Sequence, residues 1–139
     1  MIREATLKDL KSICAIGFEE ANKFNVRPDK DKIRHLATSA ISTKSNFCWV
    51  TYEGDSVTGV IVAIGHQGLW FERRHLSILL LATTTVGDGR KLLKELLSWV
   101  SGRRAIKVVT TDFVVPPRLS KLLNRVGIPA QNTTHTLFK

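Results

Sequence analysis

Several chemistries are poorly served by this chain. It holds two cysteines, Cys14 and Cys48, and their spacing is not that of metal ligands. Cys14 falls in a helical pattern and Cys48 in a strand pattern, so both read as buried thiols of a reducing cytoplasm, with neither a catalytic thiol nor a metal site expected. Tyrosine occurs once, at Tyr52. No apolar run reaches membrane-spanning length, the longest lying near Leu76 to Ala82, so no membrane role is expected. The opening Met1-Ile2-Arg3-Glu4-Ala5 carries no signal-peptide pattern. Repeats, linkers and low-complexity segments are missing, and 139 residues suit a single domain, 1–139, with one core. Acidic residues are scarce: 12 Asp and Glu stand against 21 Lys and Arg, for a net charge of +9. The excess favours an anionic partner: nucleic acid, a membrane surface or a polyphosphate cofactor. Yet the basic residues are dispersed in short clusters, Arg73-Arg74, Arg90-Lys91 and Arg103-Arg104, as on a solvated surface.

What is present is a clear alternation of strands and helices. Met1 to Ala5 reads as a short strand, and Thr6-x-x-Asp9 offers a capping pair for a helix ending near Phe24. Pro28 and Asp29 start a second helix with Ile33, Leu36, Ala37, Ala40 and Ile41 on one face. Phe47 to Tyr52 and Val57 to Ile64 form a hairpin around Glu53-Gly54-Asp55. A strand from about His75 to Ala82 leads through a glycine turn into a helix from Lys91 to Val100, ended by Gly102. Ala105 to Thr111 is a further strand. Pro116 and Pro117 open a helix from Arg118 to Val126 that Gly127 caps, and Thr133 to Phe138 is a last strand. The order β-α-α-β-β-β-α-β-α-β predicts an α/β fold with a mixed sheet. Trp49, Trp99 and the stripe Leu92-Leu93-Leu96-Leu97 are expected in the core.

The most informative stretch is Thr84-Thr85-Val86-Gly87-Asp88-Gly89-Arg90-Lys91-Leu92-Leu93. A strand that ends in Gly-x-Gly and opens a helix aims several main-chain N–H groups at one point, beside the positive end of the helix dipole. Gly87 and Gly89 can take positive φ and admit a ligand close to the backbone. The stretch therefore reads as a diphosphate cradle, although an isolated Gly-x-Gly reads equally well as a tight turn.

Together these features resemble the GNAT acetyltransferase superfamily over nearly the whole chain. Met1-Ile2-Arg3-Glu4-Ala5-Thr6-x-x-Asp9 is similar to its opening strand and helix cap. Trp49 to Val60 is similar to its second and third strands, and Thr84-Thr85-Val86-Gly87-Asp88-Gly89 to its acetyl-CoA signature. The resemblance implies a mixed, mostly antiparallel sheet flanked by about four helices. It implies acetyl-CoA as co-substrate, with the amides of Val86, Gly87, Asp88, Gly89 and Arg90 on the diphosphate. The exposed backbone of Leu80, Leu81 and Ala82 would lie along the pantetheine arm, in a slot between the splayed strands Leu76–Ala82 and Ala105–Thr111. Two departures stand out. Thr84 replaces the usual Gln or Arg, leaving a hydroxyl in place of a longer side chain. The family's Asn and Tyr positions fall on Pro116 and Leu123, so its usual general acid is missing.

Acyl transfer to an amine needs a proton acceptor. Glu72, between Phe71 and Arg73, is one candidate, and reads also as a surface carboxylate paired with Arg73 or Arg74. His75 and His66 follow, each near a strand end, and Asp112 could orient the amine. The leading expectation is an N-acyltransferase moving an acetyl group from acetyl-CoA to an amine of a small molecule or protein, in the cytoplasm, with a homodimer as a conceivable assembly. Two others stay open: a catalytically weak GNAT-like accessory protein, for instance phage-encoded, and a basic nucleic-acid-binding α/β domain.

Overall fold

A computed structural model of the chain describes residues 1–22, 27–67 and 74–111, with Lys121 and Arg125. The strands are β1 (Ile2–Glu4), β2 (Phe47–Glu53), β3 (Ser56–Gln67), β4 (Arg74–Thr83) and β5 (Ile106–Thr111). The helices are α1 (Leu10–Asn22), α2 (Lys30–Ser42) and α3 (Val86–Ser101). One sheet takes the strands in the order β1-β2-β3-β4-β5. Neighbours are antiparallel except β4 and β5, which run parallel because α3 crosses between them. The mixed, mostly antiparallel sheet expected from the sequence is thus present. The first helix's end near Phe24, the helix Arg118–Val126 and the strand Thr133–Phe138 lie outside the described residues, apart from Lys121 and Arg125, which are helical.

Strand periodicity sorts side chains onto two faces, each covered by helix. On one face Phe47, Ile61, Ala63, Leu76 and Ile78 meet Leu92, Leu93 and Leu96 of α3. On the other, Val50, Val60 and Val62 meet Ile13 of α1 and Ala37 and Ala40 of α2. The α3 stripe is core as expected at Leu92, Leu93 and Leu96. Leu97, Trp49 and Trp99 are only half-buried. Trp49 and Trp99 flank Phe47, with ring centroids at 5.9 and 5.4 Å, and Arg103 covers the outer side of Trp99 at 4.2 Å. Leu36 departs from the expected apolar face of α2 and is 42% exposed, because the buried stripe runs through the small residues Ala37 and Ala40. At the β2–β3 hairpin Glu53 pairs with Ser56, and Gly54 takes a φ of 59°, a conformation that favours glycine.

The start of the chain is tied down by charge. Thr6 and Asp9 form the expected capping pair, the Thr6 amide donating to the Asp9 carboxylate at 2.9 Å. The sequence did not reveal Arg3, whose two terminal nitrogens donate to Asp9 at 2.6 and 2.8 Å. That hydrogen bond, ahead of the opposing cost of burial, holds the carboxyl of Asp9 below its ordinary value. A lowered carboxyl pKa stabilises the fold above the unfolded-state value and ceases to do so as pH falls through the folded one. Asp9→Asn should therefore cost about 2 kcal/mol at neutral pH. The difference from wild type should shrink as pH drops below the ordinary 3.8, which denaturant unfolding at a series of pH values measures.

Candidate functional site

The site begins with an irregularity in β4. Its antiparallel register with β3 runs from Gly59↔Thr83 to Val62↔Leu80 and resumes at Ala63↔Ile78, so Leu79 is an extra residue, a β-bulge. A bulge leaves its extra residue out of the ladder and turns the strand. The sequence offered no sign of it, since Ile78 to Ala82 is apolar throughout. The described pairing of β4 with β5 ends beside it, at Ile78↔Thr111. From Leu79 to Thr83 the strand continues beyond the last described residue of β5. Leu80 packs toward α1 and α2, Leu81 toward α3, and Ala82 is buried.

Beyond β4 the chain departs from the expected turn. α3 starts at Val86, ahead of the expected Lys91, so Gly87 and Gly89 belong to its first turn and neither has positive φ. The reason is Thr85, an extended N-cap residue whose hydroxyl accepts from the Asp88 amide at 3.2 Å. The Gly89 amide is used as well, donating to the Thr85 carbonyl at 3.4 Å. The expected five-amide cradle thus narrows to the amides of Val86 and Gly87, which have no acceptor within the helix. Gly87 is exposed, and a Cβ built on it would meet nothing within 4 Å. Gly89 is buried instead. Arg90 and Lys91 are exposed cations of the first turns, and Asp88 is an opposing carboxylate. Thr84 is exposed, with its amide held by the Thr58 carbonyl at 3.2 Å. The residues present fit a diphosphate in part: two open amides, a dipole end and two cations are suited to it, and Asp88 is not.

A polar cluster lies just before the bulge. The face of the sheet under α1 and α2 is aliphatic at Val60, Val62 and Leu80. Strand alternation places His66, His75, Ser77 and Thr110 on that same face. His66 and His75 pair across β3 and β4 with ring centroids 5.6 Å apart. His66 Nε2 lies 2.7 Å from Ser77 Oγ, and Ser77 Oγ lies 3.3 Å from Thr110 Oγ1. His75 Nε2 is buried with no hydrogen-bond partner among the described residues. Leaving such an atom unmet costs about 1–3 kcal/mol. Glu72 and Asp112 lie outside the described residues. Of the expected acid–base residues the structure therefore brings His75 and His66 together, and adds Ser77 and Thr110, which sequence reasoning missed because hydroxyls within apolar strands carry no motif.

Neither cysteine is suited to nucleophilic work. Burial pushes the Cys48 thiol up to about 12 and raises Cys14 as well. No cluster of three or more potential metal ligands occurs among the described residues, and no described helix is long and apolar enough to cross a membrane.

No protein-family model and no curated protein matches the chain. Solved structures do. A possible acetyltransferase of Clostridium difficile superimposes with a TM-score of 0.76 at 14% identity, over 100% of this chain and 96% of that one. A predicted acetyltransferase of Clostridium acetobutylicum, solved with acetyl-CoA, gives 0.76 at 14% identity, over 100% and 94%. An aminoglycoside acetyltransferase from an uncultured soil metagenome gives 0.67 at 15% identity, over 100% and 93%. The fold is that of the GNAT acetyltransferases.

Proposed function

We propose that this chain is an N-acyltransferase that moves an acetyl group from acetyl-CoA to an amine. One observation carries the reading. β4 bulges at Leu79 and runs on into the open first turn of α3, so the main chain past the bulge leads directly to the helix-end amides of Val86 and Gly87. An extended, amide-bearing arm can add to a strand edge as a further strand would. A diphosphate suits the helix end, where Val86, Gly87, Arg90 and Lys91 receive it. A thioester carbonyl lying along Leu80 to Ala82 would be polarised by the main chain at the bulge. The thioester supplies the activated acyl group; the protein's task is to align it, exclude water and dispose of the amine's proton.

The neighbours support the same chemistry. One is solved with acetyl-CoA and another acts on aminoglycosides, in keeping with an amine acceptor. The net charge of +9 suits an acceptor carrying negative charge, whether small molecule or protein. Glu72, His75 and Asp112 are the proposed acid–base and orienting groups. Titration calorimetry with acetyl-CoA, paired with an assay of thiol release, tests the reading. Binding in the micromolar range with turnover is the expected result. Binding without turnover would make the chain an accessory protein. No binding at millimolar acetyl-CoA, together with salt-sensitive binding of DNA, would replace this reading with the nucleic-acid one.

A further inference from the structure

We propose that Thr110, Ser77 and His66 form a proton relay that carries the acceptor amine's proton from beside the β4 bulge to solvent. The inference rests on the transferase reading and adds to it residues and a path. Three observations support it. The contacts are continuous across β5, β4 and β3, at 3.3 Å from Thr110 Oγ1 to Ser77 Oγ and 2.7 Å from Ser77 Oγ to His66 Nε2. Next, the relay has one end beside the bulge and the other at an exposed side chain. Ser77, paired with Thr110, lies two residues before the bulge at Leu79, whereas His66 is exposed. Finally, packing alone does not call for these residues. The same face is aliphatic at Val60, Val62 and Leu80 and polar at this end, where His75 Nε2 is buried with no hydrogen-bond partner among the described residues.

The step balances as follows. The neutral amine attacks the thioester carbon; a C–N bond forms and the C–S bond breaks, the sulfur leaving as a thiolate that takes a proton from solvent. The amine's N–H proton passes to Thr110 Oγ1, the Thr110 hydroxyl proton to Ser77 Oγ, and the Ser77 proton to His66 Nε2. His66 must then carry its resting proton on Nδ1, becomes an imidazolium, and returns the extra proton to water. The His75 ring beside it limits how His66 can turn.

The test uses the full chain with acetyl-CoA and three amine probes: an aminoglycoside, spermidine and a lysine peptide. Ser77→Ala and His66→Ala should each lower kcat ~100-fold, leaving KM for acetyl-CoA and its calorimetric affinity unchanged. Ser77→Thr, which keeps the hydroxyl, should recover most of the rate, and added imidazole should restore part of it in His66→Ala. These two rescues separate a proton path from a merely structural contact, since neither would mend a distorted sheet. Wild-type turnover with unchanged kcat in Ser77→Ala, or a loss that imidazole and threonine both fail to relieve, would overturn the relay alone. No wild-type turnover with any of the three probes would overturn the transferase reading, and the relay with it.

Discussion

Gly87→Glu should weaken acetyl-CoA binding about 100-fold while leaving the protein at least as stable as before. The two effects have opposite signs for one reason, the position of Gly87 in the first turn of α3. Replacing a helical glycine by a better helix former gains about 1 kcal/mol, and a carboxylate near a helix N-terminus adds about 0.3–1 kcal/mol through the dipole. A Cβ there meets no atom within 4 Å, so no clash opposes the gain. For a diphosphate the same carboxylate is a like charge in the place it must occupy, costing ~3 kcal/mol, or ~100-fold in affinity. Thermal melting and calorimetry on one preparation read both effects. A variant that melts as wild type and binds acetyl-CoA as tightly as wild type would remove the N-terminus of α3 from the site. Gly89 is less suitable for this test, because it is buried and a glutamate there would disturb the packing of α3.

Leu93→Ala should cost about 2–5 kcal/mol, the largest loss expected of any single substitution considered. Leu93 is fully buried with Leu92 and Leu96 against Phe47, Ile61, Leu76 and Ile78. Interiors are close-packed, so the cavity left by the missing methyl groups is not filled by modest relaxation. That stripe also seats α3, and hence the amides of its first turn, at the end of β4. A lowered denaturant midpoint with an unchanged slope would identify the effect as lost packing. A loss under about 1 kcal/mol would show that α3 is held chiefly by other contacts.

The sequence made the skeleton legible because each element carried its own period. The aromatic and β-branched run in Phe47 to Tyr52 and the helical spacing of Leu92, Leu93 and Leu96 need no partner to be read. The start of α3 was misread for a local reason. Glycine suggested a turn, yet Thr85-x-x-Asp88 is itself a helix-start pattern, and in the fold it prevails. Leu36 was misplaced because periodicity marks a face without saying how wide its buried stripe is. The site was harder still. The bulge at Leu79 depends on register against β3, and the Thr110–Ser77–His66 chain joins residues from three strands. Neither leaves a trace along one dimension, because register is decided between strands and not within them.

The extra residue at Leu79 also changes the parity of β4. Ahead of it, the even-numbered Leu76 and Ile78 face α3; past it, the odd-numbered Leu81 does, while Leu80 has crossed to the side of α1. Its neighbour β3 keeps a single phase, with Ile61 and Ala63 on one side and Val60 and Val62 on the other. The bulge is therefore what reconciles the extra residue in β4 with the unbroken alternation of β3. Losing the extra residue would make the ladder regular and leave every remaining side chain in its own compartment, removing only the irregularity beside which the acyl group is proposed to sit.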